Sequence, residues 1–204
     1  MRKLLLIPVA GLAIFSACNS TRKPNAANFT AAIDQYLDRH GQVCALVGPQ
    51  FPVDVPRSRL DDSSGRGAKL TALQRAGLVS ETDTTAVVHG LLDSLRGPSP
   101  PQPVRHYALT SEGQKYLQLV SGAVIPTSGF CYGQKIVDSI THWTVGSPSA
   151  AEVTYTYHIV NLAAWAQRPE IQQAFPDVQA TISGASEAKQ VVGLQLTDKG
   201  WEVP

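Results

Sequence analysis

The chain reads as an α+β protein of two small lobes, and three observations lead there. Phe29, Ile33, Tyr36 and Leu37 recur at helical spacing, giving one early segment a single apolar stripe. Val153, Tyr155, Tyr157 and Ile159 alternate with Thr154, Thr156 and His158, the period-two pattern of a strand with one buried face. Between them, two strand-like stretches flank the proline-rich Gly97 to Pro103, which cannot continue a ladder and so marks a hairpin. The expected boundaries put residues 28–121 in the first lobe. Residues 122–204 form the second, an α/β lobe packed on the first as a small antiparallel sheet with a helix.

Taken in order, residues 18–27 are polar, contain Pro24 and lack hydrophobic period, so they read as a flexible tether. Asn28 is the expected N-cap and Gly41 the stop of a helix over 29–40. Val43 to Val47 is a short buried strand, and Gly48-Pro49 and Phe51-Pro52 punctuate its exit before a second short strand over Val53 to Val55. Leu70, Leu73, Ala76 and Leu78 mark a short helix stopped by Gly77. The hairpin strands are expected over Ala86 to Leu95 and Val104 to Leu109, followed by a helix over Gln114 to Val120. A linker over Ser121 to Ser128 leads to one or two strands in Phe130 to Trp143, then the alternating strand Glu152 to Val160. A helix carrying Leu162, Trp165, Ile171 and Phe175 is interrupted at Pro169 and ended by Pro176, and Val191 to Leu196 closes the sheet. The face bearing Tyr155 and Tyr157 is expected to cover that helix, and Trp201 to pin the terminus.

The first eighteen residues carry the most specific local signal. Arg2 and Lys3 form a basic start, Leu4 to Phe15 an apolar core, and Ser16-Ala17 the small residues before a cut. A spanning helix needs roughly 20 apolar residues, and this segment is shorter and interrupted by Pro8 and Gly11. A cleaved secretory signal without lipid and an anchor helix are the competing readings. Phe15-Ser16-Ala17-Cys18 resembles the lipobox of bacterial lipoproteins, with Phe15 where Leu is usual. The resemblance implies a signal peptide over 1–17 and lipidation of Cys18, which becomes the N-terminus with a diacylglycerol thioether and an amide-linked acyl chain such as palmitate. Asn19, where aspartate would favour inner-membrane retention, leans toward the outer membrane with the body facing the periplasm.

Loss of residues 1–17 removes Arg2 and Lys3 and no acid, so the mature 187 residues carry a formal charge of −1 instead of +1. The remaining basic residues form no stripe to neutralise phosphates, so nucleic acid is not an expected partner. Cys44 and Cys131 are an even pair, expected to bond in an oxidising compartment, with two buried free thiols in adjacent strands as the alternative.

The string Ala76-Gly77-Leu78, a hairpin, and Leu109-Thr110-Ser111-Glu112-Gly113 at a helix entry resemble the winged-helix modules of bacterial regulators over about 50 residues. The resemblance implies a local fold for the first lobe; an export signal and near-neutral charge speak against DNA. Leu196-Thr197-Asp198-Lys199-Gly200 echoes the second of these strings, which raises a duplication of the two lobes as a possibility.

No string in the chain names a reaction. His40, His89, His106, His142 and His158 are dispersed, with no i to i+4 pair, so no metal or cofactor is expected. Ser186-Glu187-Ala188-Lys189 matches S-x-x-K without its companion motifs, and Asp61-Asp62 lacks a calcium-loop spacing. Tyr155, Tyr157, Trp143 and Trp165 are candidates for a binding patch, with core packing as the simpler use. The expectation is therefore a non-catalytic binding or accessory protein, held to the membrane through its N-terminal lipid and meeting a protein partner. The rival is a hydrolase of envelope polymers whose site is assembled from distant residues.

Overall fold

The computed structural model describes residues 21–48, 51–60, 65–88, 100–120 and 127–204. The expected signal segment and Cys18, Asp61-Asp62, residues 89–95 of the expected first hairpin strand with His89, residues 97–99 of the proline-rich loop and residues 121–126 of the expected linker lie outside these residues. Within them the protein is an α+β fold built on a strand-rich, curled antiparallel sheet.

Helix α1 (Ala26–His40) is capped by Asn25, not Asn28: the Asn25 side chain accepts the Asn28 backbone N–H at 2.9 Å. It buries Phe29, Ala32, Ile33 and Leu37, the stripe read from the sequence. Strand β1 (Gln42–Gly48) pairs with β6 (Thr127–Ser147), which also pairs with β5 (Leu117–Val120) and β7 (Ala150–Val160); β8 (Gln190–Thr197) and β9 (Gly200–Glu202) complete this sheet in the order β1-β6-β7-β8-β9. The pairing of β1 with β6 therefore crosses the expected lobe boundary, and α1 packs on β6 and β9.

The smaller sheet has the order β2-β4-β3, with β2 (Val53–Pro56), β3 (Val79–Ala86) and β4 (Gln102–Leu109). The first hairpin strand thus begins at Val79 and not at Ala86. Beside it lie α2 (Arg66–Arg75) and α3 (Ser111–Tyr116). The expected helix through Val120 is a correction: α3 ends at Tyr116 and the chain turns at once into β5, whose Leu117 faces Phe130 of β6.

Helix α2 closes with three backbone bonds, Ala76 N to Ala72 O, Gly77 N to Gln74 O and Leu78 N to Leu73 O, with Gly77 at φ +80°. This is the left-handed stop that glycine permits, sealed by the buried pair Leu73 and Leu78. Thr110 then locks α3 to it. Its hydroxyl donates to the Gly77 carbonyl at 2.7 Å and accepts the Gly113 N–H at 3.0 Å, so the two strings that resemble a winged helix touch one another.

After β7, a 3-10 turn (Ala164–Gln167) leads to α4 (Pro169–Ala174) and α5 (Pro176–Ser183). Pro176 starts a helix instead of ending one, because its missing N–H falls at the first helical position where none is required. Two cores result. One joins Phe130, Tyr132, Leu70, Leu73 and Tyr107 to Trp165, Ile171 and Phe175; the other joins Phe29, Ile33 and Leu37 to Val137, Val153, Tyr155, Tyr157 and Trp201. The Tyr155 and Tyr157 face therefore meets α1, not the 162–175 segment, which packs against Phe130 and Tyr132.

Candidate functional site

The disulfide is present. Cys44 and Cys131 are directly opposed across β1 and β6 and bonded with an S–S distance of 2.07 Å. Their neighbours Ala45 and Phe130 point into the core, so strand alternation turns the bridge to the other face of the sheet.

The sequence candidates do not converge. His106 Nδ1 lies 2.7 Å from Asp54 Oδ1 across β2 and β4, while His158 Nδ1 lies 3.7 Å from Asp138 Oδ1 across β6 and β7, where the Thr156 hydroxyl donates to Asp138 Oδ2 at 3.1 Å. His40 Nδ1 donates to the Tyr36 carbonyl at 3.0 Å, closing the last turn of α1, and His142 is exposed on β6. Ser186 to Lys189 lies in the turn before β8, with Ser186 at φ +64°. Among the described residues no group of three His, Cys, Asp or Glu side chains is placed to hold a metal ion.

Of the four aromatic candidates, Tyr155, Tyr157 and Trp165 are buried. The Tyr157 hydroxyl donates to the Thr181 carbonyl at 2.8 Å and Lys135 Nζ sits 4.1 Å above the Tyr157 ring. Burial raises the pKa of Tyr157 and lowers that of Lys135. Trp143 differs: its ring meets Phe29 edge-on at 5.8 Å, yet it remains 39% exposed.

Trp143 stands on the feature that best serves as a site. β6 runs for 21 residues, and β1 accompanies it only from Ser128 to Gln134. On that same edge the Lys135 N–H is taken by the Gly41 carbonyl at 2.8 Å and the Val137 N–H by Asp34 at 2.7 Å. From Ser139 to Ser147, no described strand pairs with this edge. Three bulges, each adding one residue to β6 opposite β7, bend the strand along this stretch.

The segment Ser-Ile-Thr-His-Trp-Thr-Val-Gly-Ser contains no Asp, Glu, Lys or Arg. Edge strands usually carry charge or proline to discourage pairing, and the bulges are the one such device here. Trp143 and Val145, two residues apart, project from a single face, and Val145 is 47% exposed. Among the described residues this arrangement leaves backbone groups of the edge outside any strand pairing, beside two apolar side chains. Sequence reading placed a strand over part of this region but missed its edge, because pairing partners are a property of topology; the charge-free run of nine residues was the available signal.

No protein-family model, curated protein or solved structure matches the chain. The geometry of these residues is accordingly the ground for any functional reading. A separate cleft of about 550 Å³ runs beside α1, where Tyr36 and His40 stack at 4.2 Å near Arg39 and Lys199. Among the described residues no helix is long and apolar enough to cross a membrane.

Proposed function

We propose that this chain is a lipid-anchored protein of the bacterial cell envelope, held through Cys18 at the outer membrane with its body facing the periplasm, and that it works as a non-catalytic binding or accessory protein. Its partner is a protein that lays an extended segment along the free edge of β6. The observation that carries the binding role is the charge-free edge from Ser139 to Ser147 with Trp143 and Val145 exposed beside it. In such strand addition, main-chain hydrogen bonds supply affinity and alternate side chains supply specificity.

The export reading draws support from the bridge between Cys44 and Cys131, since disulfides persist in oxidising compartments. The contact of Thr110 with Gly77 and Gly113 supports reading α2, β3, β4 and α3 as a winged-helix-like unit reused for structure. Fold alone assigns it no activity.

The test is a photo-crosslinking side chain placed at Thr144 on the edge, or at Thr82 on β3 as control, in cells making the full chain. The expected result is one discrete adduct from position 144, absent from position 82, weakened by Cys18→Ser and abolished by Val145→Lys. Equal adducts from both positions, or an adduct indifferent to Val145→Lys, would remove the edge as the binding site.

A further inference from the structure

Residues 21–23 of the segment expected to be a free tether are docked onto the body. The Arg22 carbonyl accepts the Trp201 indole N–H at 3.2 Å, Arg22 Nη1 donates to the Thr197 carbonyl at 2.8 Å, and Asn28 Nδ2 donates to the Lys23 carbonyl at 2.8 Å. Thr21 lies against the β8–β9 turn: a Cβ built on Gly200 would stand 3.3 Å from the Thr21 carbonyl oxygen. Two residues, Asn19 and Ser20, therefore separate the proposed lipid attachment at Cys18 from chain already fixed to the fold.

We propose that the end of the larger sheet formed by the β6–β7 and β8–β9 turns lies directly against lipid headgroups, so that the anchor sets the orientation of the body as well as its location. This rests on the lipid-anchored reading above. Three residue steps span at most about 11 Å when fully extended. The headgroup layer itself is roughly 5 to 7 Å thick on each side of the hydrocarbon. Acyl chains on Cys18 begin at the hydrocarbon boundary, so most of the available reach is spent crossing that layer, and Thr21 is left within a few ångströms of the phosphates.

The chemistry of this end suits that position. The Leu196 N–H donates to the Ser149 carbonyl at 2.8 Å, which brings the β6–β7 turn beside the β8–β9 turn. Arg22, Lys23 and Lys199 are exposed there with Asp198. Glu202 lines the same cleft as Lys199, so the balance is three cations to two anions, a small excess favourable to phosphate headgroups. The smaller sheet shares no strand with this end and belongs to the other core cluster.

The full chain, processed in cells and reconstituted in phosphatidylethanolamine and phosphatidylglycerol vesicles, tests this with a bimane label on Lys199→Cys or on Thr82→Cys and nitroxide on the lipid headgroups. Cys44 and Cys131 are bonded to each other and an acylated Cys18 is blocked, so only the introduced thiol reacts. The mass of the N-terminal peptide from the same sample reports whether lipid is attached. Several-fold stronger quenching at position 199 than at 82, on lipidated protein, is the expected result. Equal quenching on lipidated protein overturns the orientation and leaves the anchor intact; an N-terminal peptide without lipid overturns the anchor and the orientation with it.

Discussion

Gly113 sits against the Leu78 carbonyl so closely that a Cβ built on it would stand 1.9 Å from the oxygen. The contact welds the start of α3 to the end of α2, and both partners are backbone, so neither can swing aside. Gly113→Ala is therefore expected to cost about 3 kcal/mol through forced backbone displacement. Gly77→Ala is the contrasting case, with φ +80° and nothing within 4 Å of the new methyl, so its expected cost is only the left-handed backbone penalty of about 1–2 kcal/mol. Urea unfolding of the two variants checks the ranking, and equal midpoints would refute it.

The bridge between Cys44 and Cys131 joins residues 87 apart in sequence. In the chain-entropy account a loop of this size stabilises by about 4 to 5 kcal/mol. The Cys44→Ser, Cys131→Ser double variant should lose most of that in denaturant unfolding at unchanged secondary structure. A variant as stable as the native chain would show that the sheet holds β1 on β6 without the bond.

Alkaline conditions should unfold the protein through its buried tyrosines. Burial raises the pKa of Tyr132, Tyr155 and Tyr157 above the ordinary value of 10.0, with Asp177 adding to this at Tyr132 and Tyr36 and Asp34 at Tyr155. The folded state thus favours the neutral phenol. Its contribution is fully present below pH 10 and is lost as pH rises through the raised folded values. Absorbance titration should show these three ionising late and together with unfolding; early ionisation of all six tyrosines in a folded protein would contradict this.

Trp201 holds the docked N-terminal segment by donating to Arg22 while its ring meets Phe29 edge-on at 5.2 Å. Trp201→Phe keeps an aromatic ring and removes the hydrogen bond, worth about 1 kcal/mol. Trypsin should then cut faster after the exposed Arg22, since Lys23 precedes Pro24 and is not a cleavage site, with global stability little changed. Unchanged cleavage would mean that the other contacts suffice to dock the segment.

Strong periodicity made α1, β1 and β7 legible, since each buries one face and writes its period into apolar residues. β3 was missed for the converse reason: of Val79 to Ala86 only Val79 is buried, and the run Ser-Glu-Thr-Asp-Thr-Thr has no apolar alternation to read. Its strand character comes from pairing with β4. Leu117 to Val120 looked helical in continuation of α3, yet pairing with β6 across a long sequence separation decides it. The same holds for the candidate site. Trp143 was visible as a residue, whereas the vacant edge it stands on depends on where β1 stops at Gln134. The docking of residues 21–25 also escaped composition, because its bonds run through main-chain carbonyls, those of Arg22 and Lys23 as acceptors and that of Thr197 for the Arg22 guanidinium.

The most direct test of the account is metabolic labelling of the full chain with a palmitate analogue, comparing native protein with Cys18→Ser by membrane fractionation and mass. The account predicts label and membrane association in the native protein, and loss of both in Cys18→Ser with the Cys44–Cys131 bond retained in any exported product. Unlabelled native protein in the cytoplasm with free thiols would contradict the anchor, the compartment and the orientation together.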